Sequence, residues 1–219
     1  MNFLKDIFTY PFRGSGKYLL IGCAIMSIIS ELSSYVPILG GLTYLILAGY
    51  FCAVYFQLMQ SSASGSDEAS DFPSTTHLWT EIMWPMLQIL IILLASFSPV
   101  IIYGFCSDEL SDLIMISLIA LGIIYTPMAI LSVNILGYLG AMSPHIVLPA
   151  IIRAGRLYWL GIITLFLLYG VEFALFCLLE NVPVLNTLVM AVIGSYVIIT
   201  NARTLGLIYR LKAYELGWV

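Results

Sequence analysis

A single carboxylate stands in the middle of a long apolar run of this sequence. Glu172 lies in LLYGVEFALF, residues 167–176, and the run around it contains no Lys, Arg or His. In a membrane helix, such a carboxyl group serves either as a proton-coupling or cation-binding group of a transporter, or as a hydrogen-bonded link between helices. Because an unpaired charge is costly in an apolar medium, we expect Glu172 to be protonated and hydrogen-bonded inside a helix bundle. Both roles are open at this point.

Two side-chain amides, Gln88 and Asn134, stand in other apolar runs. Together with Glu172 they are the candidate ligand-binding residues, although polar side chains of this kind also hold membrane helices together. A cavity lined by all three would favour a solute carrier. A tightly packed bundle with an exposed face of small residues would favour a scaffold.

Motifs of catalysis and metal binding are missing from the sequence. His77 follows a group of acids, but no second ligand at zinc spacing accompanies it, and the four cysteines form no C-x-x-C pair. The nucleophile-elbow, phosphate-loop and dinucleotide-binding motifs are also absent. We therefore predict no catalytic residue, no cofactor and no metal site. The acids before His77 are assigned to a solvated loop; they are Asp67, Glu68 and Asp71.

The composition indicates which solvent surrounds these candidates. Of the 219 residues, 61% are hydrophobic and 9% are charged, whereas soluble domains contain about 25% charged residues. A water-soluble fold of this size cannot hide so much apolar surface, so lipid must surround much of the chain. The basic residues form only small clusters, which argues against a nucleic-acid-binding surface.

Six apolar runs reach the roughly 20 residues that a membrane helix needs. Their hydrophobicity is continuous rather than alternating, which favours helices over strands. Short breaks join the runs into three hairpins, and a longer polar loop is predicted at 60–77. We predict one all-α, polytopic membrane domain over residues 1–219, with spans near 18–36, 38–59, 84–105, 113–135, 157–179 and 183–202.

The cations predict the orientation of these spans. All eight Lys and Arg residues lie before the first span, between the fourth and fifth, or at the end of the sixth, and six spans put these three places on one side. By the positive-inside rule that side is the cytoplasm, so both termini are predicted to be cytoplasmic. We interpret the cations as anchors at helix ends; they are Lys5, Arg13, Lys17, Arg153, Arg156, Arg203, Arg210 and Lys212.

Interfacial segments precede the odd-numbered spans. Residues 1–12 place apolar side chains on one helical face, with Lys5 and Asp6 away from it, which predicts a short helix on the cytoplasmic membrane surface. The segments STTHLWTEIMWP and SPHIVLPAIIRAGR precede the third and fifth spans in a similar way.

The same parts of the chain carry a family resemblance. YPFRGSGKYLLIG, DFPSTTHLWTEIMWPML and ARTLGLIYRLKAYELGW resemble a family of bacterial multi-span membrane proteins of unknown function, which looks related to the YIP-like membrane proteins. The resemblance covers most of the chain, and its motifs mark helix ends. It implies a helical bundle with interfacial helices in the bacterial inner membrane and a role in membrane organisation. It implies no particular functional residue.

From these observations we expect a non-enzymatic integral membrane protein that organises or assists a membrane assembly. Intramembrane polar side chains are few, the connecting loops are short, and surface helices are prominent. The alternative is a small-solute transporter, or the membrane subunit of one, with Glu172 as its coupling or binding group. The expected partners are the lipid bilayer and either a further membrane protein or a second copy of the chain, without nucleic acid.

Overall fold

The long apolar runs form membrane-length helices. In the computed structural model, which describes residues 3–33, 35–66, 68, 72–73, 77–106 and 111–218, six helices are long and apolar enough to cross a bilayer. No strand occurs among these residues. The prediction of an all-α, multi-pass protein with six spans is therefore confirmed.

The helices follow the chain in a simple order. A short helix precedes the six long ones, two 3-10 turns span Tyr10–Phe12 and Leu139–Met142, and a π-helical turn spans Trp79–Met83. The α-helices are α1 Phe3–Thr9, α2 Gly16–Ser33, α3 Pro37–Ala63, α4 Trp84–Cys106, α5 Asp112–Leu136, α6 Pro144–Leu179 and α7 Pro183–Leu216.

Proline marks the first turn of three of these helices. Pro37, Pro144 and Pro183 begin α3, α6 and α7. Proline has no N–H to leave unbonded at a helix start, and its fixed φ angle already suits the helix. These residues therefore favour the beginning of a helix at these places.

Helix α6 consists of two arms that meet at Gly155. This residue has φ +54° and ψ −130°, a conformation that favours glycine because any Cβ would be strained there. The second arm matches the predicted span at 157–179, and the first arm, 144–154, is the predicted segment before that span. A separate helical segment thus leads into the fifth span, while its interfacial position stays a prediction.

Helix α7 differs from its prediction because it continues well beyond residue 202, to Leu216. Charged residues lower the hydropathy from Arg203 onward, so the apolar run ends there although the helix does not. Its C-terminal part is packed rather than free, and Leu205, Leu207 and Ile208 are buried.

The close packing of α7 on α3 depends on one glycine. A Cβ on Gly206 would lie only 2.6 Å from the carbonyl oxygen of Met59, so the two backbones approach as closely as a glycine allows. Around this contact, α7 also packs against α2 and α6, while α4 and α5 form a hairpin against α3 and α6.

The connection between α3 and α4 is attached to the bundle. Of the predicted polar loop at 60–77, residues 60–63 belong to α3, whereas Ser64, Glu68 and His77 are exposed and lie outside the helices. Phe72 in this connection stacks on Tyr50, with their ring centroids 6.4 Å apart. Phe72 also lies over Gly22, in the space that a side chain there would fill. Asp67 and Asp71 lie outside the described residues.

Arg203 is the largest correction to the sequence analysis. It was predicted to be a membrane anchor at a helix end, yet its side chain is fully buried. Its Nη2 lies 2.8 Å from Oδ2 of Asp6, and its Nε donates to the same oxygen at 3.2 Å. Asp6 was predicted to lie away from the apolar face of the first helix, but it is buried, because it is the counter-ion that makes a buried guanidinium tolerable.

Three further contacts complete the surroundings of this ion pair. Arg203 Nη1 donates to the carbonyl oxygen of Ser66 at 2.7 Å, and the guanidinium lies 4.3 Å from the centroid of the Tyr10 ring. On the other side of Asp6, Arg13 Nη1 donates to Oδ1 at 2.5 Å. The ion pair therefore joins α1, the turn after it, the end of α3 and α7 at one end of the bundle.

Removing the carboxylate should destabilise the fold strongly. We expect Asp6→Asn to lower the free energy of unfolding by about 3–5 kcal/mol, because it leaves a buried guanidinium without its counter-ion. Arg13→Gln is the matched control. Arg13 is partly exposed, and its loss should cost less than about 1 kcal/mol. Thermal unfolding in detergent measures both, and equal losses would contradict the central role of Arg203.

Acid gives an independent test of the same pair. Burial alone raises the pKa of Asp6, but hydrogen bonds to Arg203 and Arg13 and their charges outweigh burial and hold the pKa below its ordinary value of 3.8. The stabilisation is therefore fully present above pH 3.8 and is lost as the pH falls through the lower, folded-state value. The difference in unfolding temperature between wild type and Asp6→Asn should shrink over that range.

Candidate functional site

Two of the three predicted binding residues share one cavity. Gln88 and Asn134 both line a space of about 410 Å³ between α3, α4 and α5. It lies near the end of α3 and α5 and the beginning of α4, hence at the end of the bundle that holds the Asp6–Arg203 pair. We call it the polar cavity; the other polar side chains that border it are Gln57, Gln60 and Glu81.

Asn134 links two helices across this cavity. Its Nδ2 donates to the carbonyl oxygen of Phe56 at 3.1 Å, and its Oδ1 accepts from Nε2 of Gln60 at 3.0 Å. Gln60 Nε2 also lies 3.3 Å from the backbone oxygen of Asn134. Both ends of the Asn134 amide are thus used to hold α5 on α3.

Gln88 has a different environment. Its side chain is buried, and within the described ranges its amide forms no hydrogen bond. A buried amide without a protein partner needs water or a ligand, because an unsatisfied donor and acceptor are costly. Gln57 on the facing helix is also without a hydrogen bond to any described residue, so two amides are available to a polar guest of the cavity.

A π-helical turn forms the entrance to α4 and one wall of the cavity. Trp79–Met83 is π-helical, and both Glu81 and Trp84 border the cavity. Such turns are rare and are often found at functional sites, because the wider turn changes the direction of the side chains. Here it brings a carboxylate and an indole ring next to the amides, which is chemistry suited to a polar or cationic organic solute.

Glu172 lies elsewhere. It is half-buried on α6, in a separate surface cavity that it shares with Tyr169, Phe173, Phe176 and Met190. Over the described part of the chain, this cavity and the polar cavity share no lining residue. The predicted enclosed position of Glu172 is therefore wrong.

The contacts of Glu172 also differ from the prediction. Its carboxylate forms no hydrogen bond with any residue that the structure describes, and its Oε1 lies 3.2 Å from the place where a Cβ of Gly194 would be. The small residue on α7 thus leaves room for the carboxyl group beside the helix. The expected hydrogen bond of Glu172 to a neighbouring helix is therefore not found among the described residues.

The sequence analysis missed several residues of the polar cavity. Gln57 and Gln60 stand at the end of an apolar run, where polar residues are ordinary, and Glu81 stands in a segment read as interfacial. A π-helical turn has no reliable sequence signal. The Asn134–Gln60 spacing offers none either, because the two residues meet only when α3 and α5 cross.

Among the described residues, no group of three or more His, Cys, Asp or Glu side chains is placed to hold a metal ion. Comparison with protein-family models, with curated proteins and with solved structures gives no match to this chain. The polar cavity must therefore be interpreted from its own chemistry.

Substitution of Asn134 should lower the free energy of unfolding more than substitution of Glu172. We expect Asn134→Ala to lower the free energy of unfolding by about 1–3 kcal/mol, because it leaves Gln60 and the Phe56 carbonyl without partners. Glu172→Gln should change it by no more than about 0.5 kcal/mol, since the carboxylate has no bonded partner to lose. Thermal unfolding of the two variants and of wild type in nanodiscs measures these differences. An equal cost for both would show that the carboxylate of Glu172 is structural.

Proposed function

We propose that this protein is a non-enzymatic integral membrane protein that organises or assists a membrane assembly through the end of the bundle that carries both termini. The observation that supports this function is the rigid attachment of α1 to the bundle by the buried Asp6–Arg203 pair. A surface helix that only dipped into lipid would need no such attachment. Fixing its position is useful where the helix must present a defined surface.

That surface is apolar. Leu4 and Phe8 on α1 are 42% and 39% exposed, although Ile7 beside them is fully buried. At the same end of the bundle, Leu148 and Ile152 on the first arm of α6 are 49% and 79% exposed. Apolar side chains on two separate, rigidly held elements suit contact with the membrane surface and with a membrane-embedded partner. We call these four side chains the end surface.

We further propose that this end faces the cytoplasm of a cell with the protein in its inner membrane, as the positive-inside rule indicates. Single cysteines at Ser64 and Tyr214, both exposed, should react with a membrane-impermeant maleimide only after the cytoplasmic side is opened. A cysteine at Glu180, exposed in the opposite hairpin, is the matched control and should react in intact cells. Labelling of Tyr214→Cys in intact cells would contradict this orientation and place the C-terminus outside the cytoplasm.

A second candidate function is binding or transport of a small solute, either by this chain alone or as the membrane subunit of a transporter. The polar cavity favours it, because the amide of buried Gln88 lacks a partner among the described residues. The three predicted residues do not share one cavity, so Glu172 is not part of this site. This candidate therefore depends on Gln88, Gln57 and Glu81.

Recovery of the tagged full-length protein from its membrane in mild detergent, followed by mass spectrometry, tests the first function. We expect a stoichiometric protein partner with wild type and at least tenfold less of it with the double variant Leu4→Ser/Phe8→Ser. Phe105→Ser, a change of an exposed side chain at the end of α4, is the control and should keep the partner. The same partner at the same yield from the double variant would overturn the proposal. A recurring small molecule that Gln88→Ala removes would favour the second candidate.

A further inference from the structure

The lining of the polar cavity carries one sign of charge. Among the described residues that border it, Glu81 is the only acidic side chain, and none is Lys, Arg or His. A carboxylate attracts a cation and repels an anion, and because Glu81 is half-buried, water and salt screen its charge less than on the open surface. The cavity therefore favours a positively charged guest over a phosphate, a sulfate or a carboxylate.

The size and the lining of the cavity favour an organic guest over a metal ion. Its volume of about 410 Å³ lies within the range of about 300–1,000 Å³ that is usual for small-molecule sites. Phe56, Trp84 and Val133 supply apolar surface, whereas a hard metal cation needs several oxygen ligands around one point. A guest that fills this space must offer apolar surface as well as a charge.

The π-helical turn brings the carboxylate and an indole ring to the same wall. The N–H of Trp84 donates to the carbonyl oxygen of Trp79, five residues earlier, and Pro85 has no N–H to restore the α-helical pattern at the next residue. Both Glu81 and Trp84 border the cavity as a result. Indole is the best cation–π partner among the side chains, so this wall suits an ammonium group.

The amides lie next to this wall. Gln88 is one α-helical turn beyond Trp84, about 6 Å along the axis of α4. Its side chain is only 7% exposed and forms no hydrogen bond with a described residue. Gln57 borders the cavity from α3 and also forms no hydrogen bond with a described residue. A hydroxyl group donates to the oxygen of one amide and accepts from the nitrogen of the other, which satisfies both residues.

The same lining argues against a phospholipid head group. Choline and ethanolamine head groups carry an ammonium group, but their oxygen is esterified and has no proton to donate to an amide oxygen. Their phosphate would also lie near Glu81, with no Lys, Arg or His in the described lining to neutralise it. A free amino alcohol has the cation and the hydroxyl without the phosphate.

We infer that the polar cavity binds a free, short amino alcohol in its cationic form. Its ammonium group lies between the carboxylate of Glu81 and the ring of Trp84, and its hydroxyl bonds to Gln88 and Gln57. Asn134 keeps the cavity in shape instead of binding the guest, because its amide is already used to hold α5 on α3. This inference rests on the second candidate function, solute binding, and is independent of the end surface.

Equilibrium dialysis of radiolabelled choline against the full-length protein tests the charge requirement. The protein is placed in nanodiscs of phosphatidylglycerol, which has no ammonium group, and binding to empty nanodiscs is subtracted. We expect saturable binding, with 3,3-dimethylbutan-1-ol, the neutral isostere of choline, competing at least tenfold less well than unlabelled choline. Absence of saturable choline binding, or equal competition by the two compounds, would overturn the inference.

Two variants assign the two ends of the guest. Glu81→Gln, which keeps the size of the side chain but removes its charge, should weaken choline binding about tenfold. Gln88→Met removes the amide and should weaken choline about tenfold but leave tetramethylammonium, which has no hydroxyl, unchanged. Glu180→Gln is the matched control, because it removes an exposed carboxylate in another hairpin, and it should bind choline as wild type does. Equal weakening of both ligands by Gln88→Met would contradict the assigned contact of the hydroxyl.

Lipid composition separates a free solute from a lipid head group. We expect the affinity for choline to be the same when phosphatidylcholine replaces half of the phosphatidylglycerol in the nanodiscs. Loss of choline binding there would assign the cavity to a head group and overturn a free amino alcohol. Recovery of another small molecule that Gln88→Ala removes, without choline binding to wild type, would keep the second candidate function and overturn only this inference.

Discussion

One buried ion pair constrains the whole end of the bundle that carries the termini. A guanidinium removed from water is tolerated only when its charge and its donors are satisfied, and Arg203 meets that condition through Asp6, the Ser66 carbonyl and the face of Tyr10. None of these partners belongs to α7. The first helix, the turn after it and the end of α3 must therefore be in place together, and they cannot shift separately without exposing the charge to an apolar environment.

The same constraint separates rigid from adaptable parts of the molecule. Near Arg203, backbones approach closely, as at Gly206, and side chains are almost all buried. Toward the other ends of α4, α5 and α6, many large apolar side chains face lipid instead. The polar cavity lies at the end with the ion pair.

Properties of a single segment were predictable from sequence, whereas contacts between segments were not. Hydropathy alone predicts six helices, and proline marks the beginning of α3, α6 and α7 because its effect is local. Gln88 and Asn134 stand out because polar residues are rare in apolar runs, but only the packing of α3, α4 and α5 decides that they share a cavity and that Glu172 does not. Arg203 was misread for the same reason. Its counter-ion lies almost the whole chain length away, and no periodic pattern connects the two residues.

The great distance in sequence between Asp6 and Arg203 also bears on how the chain is made. Synthesis proceeds from the N-terminus, so α1 emerges first and its partner on α7 emerges last. Until α7 has been made, Asp6 has nearby cations in sequence, Lys5, Arg13 and Lys17, but not its buried partner Arg203. The end of the bundle that holds the ion pair is therefore assembled only when α7 is present. A chain that stops before Arg203 has most of its apolar helices but lacks the cation that pairs with Asp6, so the contact between α1 and α7 forms only after α7 has been made.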